Sequence, residues 1–292
     1  DAPREYWYDQ KSKTLYFCSP DGKSPAMHTL RGKRRDYMLT ADSCTHLKIS
    51  GLKFFGGAFA LNSCTNTTFE NATLYAPTHN KFQLGKLGNF PFSRVWNRRG
   101  GKNPTTTGNV VRNCRFSFLD GQALYLHGRD TLVENCLFEN VNYSCLGFAY
   151  SVQADKAIVR HCTLERSGAA EGFRNGRVLE FNRVTNIGGL QHDGSAFQAG
   201  GRDQVIMRFN WVHDTSKLSY RFDSGSNPKF PNGFGQVYGN VAWNCKSYQI
   251  KGDDHLICNN VALYGSVISL NVSEVYKSTN DRTLSFNNIG PL

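Results

Sequence analysis

The chain has 292 residues, of which 39% are hydrophobic, with 20 Phe and 13 Tyr, enough apolar mass for a sizeable core. No apolar run approaches the ~20 residues of a membrane-spanning helix, and no Pro/Ser-rich linker, acidic tail or low-complexity tract divides the chain. The formal net charge of +11 points to an anionic partner: nucleic acid, a membrane surface or an acidic polysaccharide.

In chain order, residues 1–40 read as a lead-in that packs on the rest of the chain. They contain the aromatic stretch EYWYDQKSKTLYFCSPDG at Glu5–Gly22 and the basic cluster RGKRR at Arg31–Arg35. A second basic cluster, RVWNRRGGK, starts at Arg94; neither sits in a nucleic-acid-binding motif. From about residue 41 one short phrase keeps returning. It runs apolar, two variable residues, Cys or Asn, one variable residue, apolar. Copies are VRNCRF at Val111, VENCLF at Val133, VRHCTL at Val159, LEFNRV at Leu179, MRFNWV at Met207, VYGNVA at Val237, ICNNVA at Ile257 and LSFNNI at Leu284. Looser copies are ISGLKF at Ile49 and FENATL at Phe69. A phrase at such spacing marks a repeat architecture.

The fourth slot forms a ladder: Leu52, Ala72, Cys114, Cys136, Cys162, Asn182, Asn210, Asn240, Asn260 and Asn287. The gap of 42 between Ala72 and Cys114 reads as two coils, one of them degenerate or replaced by a loop. Each copy has the alternation and the β-branched and aromatic content of a strand. Stacked coils share one core, and a repeated Asn then satisfies both the turn backbone and the Asn of the next coil. Cys at the same slot reads as a small buried apolar residue. A second strand is expected before most copies, at ALYLHG (Ala123), CLGFAY (Cys145), SAFQAG (Ser195), LSYRFD (Leu218), YQIKGD (Tyr248) and VISLNV (Val267). The sequence does not place the third strand of each coil.

These features resemble the right-handed parallel β-helix of the pectate-lyase-like superfamily over about residues 40–292. The lead-in is similar to the segment that precedes β-helices in many secreted carbohydrate-active proteins. The expected fold is therefore all-β: one parallel β-helix domain, 41–292, of about ten coils with an Asn/Cys ladder. The chain starts at Asp1 as if processed, and its last phrase nearly reaches the final residue. The solenoid is thus expected to continue further or to be capped by a neighbour. Nine Cys without C-x-x-C or paired Cys/His spacing argue against a metal site and for stacked thiols, Cys114–Cys136–Cys162 and Cys44–Cys64. Sequons at Asn66, Asn71, Asn142 and Asn271 are compatible with an extracellular, secreted glycoprotein.

Alternation turns Tyr125 and His127 outward if Leu124 and Leu126 face the core, and likewise exposes Gln198, Arg221 with Asp223, and Gln249 with Lys251. His192-Asp193, His213-Asp214 and Lys251-Gly-Asp253-Asp254-His255 flank them. Such a strip suits β-elimination on a uronic acid. Arg221 and Lys251 neutralise the substrate carboxylate. His192, His127 or Tyr125 serve as base and acid. Gln198, Gln249, His213, Asp193 and Asp223 are the expected substrate-binding residues. No cofactor is required, with Ca²⁺ at Asp223 and Asp253 the candidate exception. Two alternatives stand beside this lyase. One is a glycoside hydrolase using Asp193 and Asp223. The other is a non-catalytic structural or adhesive β-helix that assembles end to end. Each polar position also has a plainer reading as a turn former or a surface ion pair.

Overall fold

A computed structural model describes residues 2–3, 5–79, 91–96, 106–144, 150–200, 204–223, 233–266, 268–270 and 280–290. The chain winds as a parallel β-helix with three parallel sheets, in which each strand pairs with its equivalent one coil away. Sheet 1 has ten strands, from Tyr37–Asp42 to Ile268–Leu270; sheet 2 has ten, from Lys48–Ser50 to Leu284–Phe286; sheet 3 has nine, from Lys53–Phe55 to Val261–Leu263. Among the described residues, three-strand coils therefore number nine before a partial tenth, slightly fewer than expected. The solenoid begins at Tyr37, a few residues before the expected boundary. Ahead of it, Tyr6–Asp9 and Thr14–Phe17 form an antiparallel hairpin. Lys33 Nζ ties the lead-in to the coils by donating to the Pro77 carbonyl at 3.1 Å.

The repeat phrase is a corner. Val110–Arg112 is a strand of sheet 2, Asn113 and Cys114 turn the chain, and Arg115–Ser117 is a strand of sheet 3. The missing third strand is thus the second half of the phrase. The first corner residue has a left-handed backbone in coil after coil: Asn113 (φ 54), Asn135 (φ 50), His161 (φ 53), Phe181 (φ 54), Phe209 (φ 56) and Gly239 (φ 65). Asn and Gly tolerate this region; His and Phe are strained in it. Ring stacking offsets the strain, with His161–Phe181 centroids 5.1 Å apart and Phe181–Phe209 5.2 Å. Gly239 is required twice over: its φ is positive, and a Cβ would meet the Phe209 ring at 2.6 Å.

The second corner residue is the ladder slot. Asn182, Asn210, Asn240 and Asn260 are buried. Asn210 Oδ1 accepts from the Asn182 backbone N–H at 3.0 Å and its Nδ2 donates to the Leu179 carbonyl at 2.8 Å. The pattern repeats one coil on with Asn240 and Asn260. The last rung is Asn288 rather than Asn287: Asn260 N–H donates to Asn288 Oδ1 at 3.0 Å. Pairing of Ile257 with Ser285 moves that phrase by one residue. Asn287 instead occupies the outer corner slot beside Asn259. The gap between Ala72 and Cys114 is one long coil, because Thr68–Glu70 pairs directly with Val110–Arg112. CLGFAY lies mostly outside the described residues; the strand of that coil is Tyr150–Asp155.

Cys114, Cys136 and Cys162 are buried at the ladder slot. All eight described cysteines are free. Inside, Phe173, Phe197, Tyr220 and Tyr248 form a continuous ring stack, with centroids 5.7, 5.2 and 4.7 Å apart. Tyr220 reconciles its hydroxyl with burial by donating to the Asn210 carbonyl at 2.9 Å.

Outside, sheet 2 carries an alternating charge row: Glu70, Arg112, Glu134, Arg160, Glu180 and Arg208, in register. Glu70 meets Lys48 at 2.8 Å and Arg112 at 2.7 Å, which hold its carboxyl down at about 2. The stabilisation from a depressed carboxyl is complete above the unfolded value and lost as pH falls through the folded one. Wild type is therefore expected to lose stability between about pH 4.5 and about 2. Glu70→Gln should flatten that part of an acid unfolding curve followed by circular dichroism.

Candidate functional site

The parallel register of sheet 1 assembles one outward row from seven coils: Arg94, Tyr125, Gln153, Arg174, Gln198, Arg221 and Gln249. The expected neighbours Gln198, Arg221 and Gln249 are adjacent, and Tyr125 shares their row, but Gln198 and Arg221 are buried rather than exposed because their neighbours in the row and Asp193 and Asp223 cover them. Arg94, Gln153 and Arg174 are members that sequence reasoning missed. Arg94 was visible only as part of a basic cluster, and the others lie in strands without a recognised phrase. Two residues along each strand, His127 pairs with Asp155 and Gly200 with Asp223.

Insertions concentrate on this sheet. The turn from sheet 2 to sheet 3 keeps two residues in coil after coil, as between Arg112 and Arg115 or Glu180 and Arg183. The extra residues of long coils fall instead at the edges of sheet 1, as between Tyr75 and Ser93, Trp96 and Val110, and Asp223 and Gln236. Per-repeat insertions of a solenoid map to loops on one face, often its binding face.

Two clusters occupy the strip. In the first, Tyr125 Oη donates to Asp155 Oδ2 at 3.1 Å, Gln153 Nε2 donates to Asp155 Oδ1 at 2.9 Å, and His127 Nδ1 lies 3.8 Å from Asp155 Oδ2. Burial alone would raise the Asp155 carboxyl, but the nearby His127 and the hydrogen bonds from Gln153 and Tyr125 together hold it below its ordinary value. Arg94 lies one strand from Tyr125, its guanidinium 5.1 Å from the Tyr37 ring centre and 5.4 Å from that of Trp96. It makes no ion pair with a described residue. Trp96 and Phe92 set their rings edge-on to Tyr125, each at 6.2 Å. The result is one uncommitted cation, a His, a Tyr and an aromatic wall around an ionised carboxylate.

The second cluster is an ion network. Arg221 reaches Asp193 and Asp223, each at 3.0 Å, and Lys251 reaches Asp223 at 3.0 Å. Both cations expected to receive the substrate carboxylate thus already hold carboxylates of the chain. Gln198 Nε2 also donates to Asp223 at 3.4 Å. Glu171 meets Arg174 at 2.7 Å, yet burial raises its carboxyl above the ordinary value.

Other expected site residues lie elsewhere. His213 is buried in sheet 3, where Nε2 accepts from Arg183 at 3.0 Å and Nδ1 lies 2.7 Å from Asp214. Its strand, Trp211–His213, precedes the Arg221 strand in sequence but belongs to another face of the solenoid. His192 is exposed at the edge of sheet 1 beside Asp193. His255 is a core residue, stacked on Phe222 and accepting from the Gly235 N–H at 3.0 Å. Asp253 accepts from the Asp281 N–H at 2.8 Å, and Asp254 pairs with Arg282. No group of three or more His, Cys, Asp or Glu among the described residues is arranged to hold a metal ion. Of the sequons, Asn66 and Asn71 are exposed. Asn142 is buried with its Nδ2 donating to the Tyr150 carbonyl at 3.2 Å, so the folded site cannot take a glycan. Asn271 lies outside the described residues.

Comparison of the chain with protein-family models, with curated proteins and with solved structures gives no match in any of the three.

Proposed function

We propose that the protein is a polysaccharide lyase that cleaves an acidic glycan by β-elimination, with the chain of sugars lying along sheet 1. The observation that carries this reading is the cluster of Arg94, Tyr125, His127 and Asp155. β-Elimination removes the C5 proton of a uronate, places the resulting charge on its carboxylate, and expels the glycosidic oxygen from C4. Arg94 neutralises the carboxylate, where charge develops. His127 takes the C5 proton, and Tyr125 delivers a proton to the departing oxygen. Asp155 touches both side chains and positions them. The Arg221 network sits four strands away, about 19 Å, and holds more distant sugars through its rim. An extracellular location and kinship with the pectate-lyase-like superfamily belong to the same proposal.

Incubation with a panel of uronate polymers, with and without Ca²⁺, tests it through the ultraviolet absorbance of the unsaturated end that elimination leaves. Arg94→Ala is expected to abolish the signal or raise KM at least tenfold. An Arg94→Ala variant as active as wild type would remove Arg94 from the mechanism.

One observation favours a second reading, a glycoside hydrolase: Asp193 and Asp223 each lie 3.0 Å from Arg221, which brings two carboxylates together on one guanidinium. New reducing ends without the ultraviolet signal, lost in Asp223→Asn, would establish the hydrolase instead.

A further inference from the structure

The outer face of sheet 2 carries two parallel rows. One is the alternating charge row from Glu70 to Arg208. The other is Thr68, Val110, Leu132, Ile158, Val178 and Ile206, in register and only partly buried. An outward aliphatic row beside a row of neutralised charge is a poor solvent face and a good contact face. We propose that this face pairs with the same face of a second copy of the chain, about a two-fold axis parallel to the strands. The axis passes midway between the strands Leu132–Glu134 and Ile158–Arg160.

The order of the charges selects both the partner and the geometry. Read backwards, an alternating six-member row becomes its own complement. A two-fold axis along the strands reverses the order of the coils and keeps each row over its equivalent. Glu134 then faces Arg160 of the second copy, Arg112 faces its Glu180, and Glu70 faces its Arg208. In the same arrangement Leu132 meets Ile158 of the second copy, and Val110 meets its Val178. A two-fold along the solenoid axis would instead lay the aliphatic row on the charges. Parallel superposition would set Glu on Glu. Only the antiparallel pairing satisfies both rows, which is the self-complementarity an isologous contact needs. Phe181 and Phe209, 48% and 45% exposed at the adjoining corner, extend the apolar area. Six strands span about 25 Å, so the contact falls at the small end of specific interfaces and exchanges between monomer and dimer. Sheet 1 lies on another face, outside this contact.

Sedimentation velocity across a range of protein concentrations tests the association, and cross-linking tests the geometry. Wild type should shift from monomer toward dimer as concentration rises; a monomer throughout would overturn the proposal. In a Cys18→Ser background, which removes an exposed thiol, Leu132→Cys and Ile158→Cys chains should form an interchain disulfide when mixed. Neither should cross-link with itself. Self-cross-linking of either variant, or a dimer that the mixture fails to trap, would show that the copies meet another way. Circular dichroism of each variant before mixing establishes that it is folded.

Discussion

Asn210→Ala is expected to lower the unfolding free energy by about 3 kcal/mol, the cost of orphaning two buried backbone groups. Asn210 Oδ1 is the acceptor for the Asn182 backbone N–H, and its Nδ2 is a donor to the Leu179 carbonyl. Neither partner reaches water, because Asn182 and Leu179 are 2% and 0% exposed. Asn210 Nδ2 also meets Asn240 Oδ1 at 3.0 Å, so the loss spreads to both neighbouring coils. Asn259→Ala supplies the contrast. Asn259 is the exposed first-corner residue of a later copy of the phrase, with φ 55, and its replacement should cost only about 1 kcal/mol, because its side chain bonds at the surface. Urea unfolding followed by circular dichroism checks both. Equal effects would mean that the ladder amides contribute no more than a turn preference.

Tyr125→Phe is expected to reduce kcat for elimination by about 10²- to 10⁴-fold, the range for removing one proton-transfer group, while leaving the fold intact. Tyr125 is half-buried on the outer row, so losing its hydroxyl leaves the core untouched. Asp155→Asn should act differently. Its carboxyl is held ionised below the ordinary range by the groups it orients. Protonating it at low pH, or replacing it by Asn, removes the charge that aligns His127 and Tyr125. The variant should therefore lose rate at neutral pH and show a weaker decline toward acid than wild type. Initial rates of unsaturated product across pH measure this. A variant with the wild-type profile would make Asp155 a bystander.

The ladder was legible in the sequence because it is a local rule repeated many times. A buried corner needs a small residue or one that satisfies its own polar groups, and Cys114, Asn182 and Asn240 each meet that need. The outward row at Gln198, Arg221 and Gln249 was legible for a related reason: strand alternation plus equal phase in successive coils fixes which side chains share a face. Where coil length varied, the reading slipped. Phase is counted residue by residue, and the apolar Leu284, which pairs with Leu256 rather than Ile257, set the last phrase one residue early and put the rung at Asn287 instead of Asn288. Insertions around sheet 1 also hid the strands that contribute Arg94, Gln153 and Arg174.

Repeat spacing by itself determined a stack of stranded coils with buried thiols and an Asn ladder, since these derive from what each coil must bury, and the resemblance supplied the parallel β-helix. Tertiary structure alone decided which charges remain uncommitted. Arg221 and Lys251 look like free cations in the sequence but hold Asp193 and Asp223. Arg94 is the cation left beside Tyr125, His127 and Asp155. His213, close to Arg221 along the chain, is buried on a different sheet. Ion pairing and facing depend on distances between coils about 20–40 residues apart in sequence, and no local pattern carries that information.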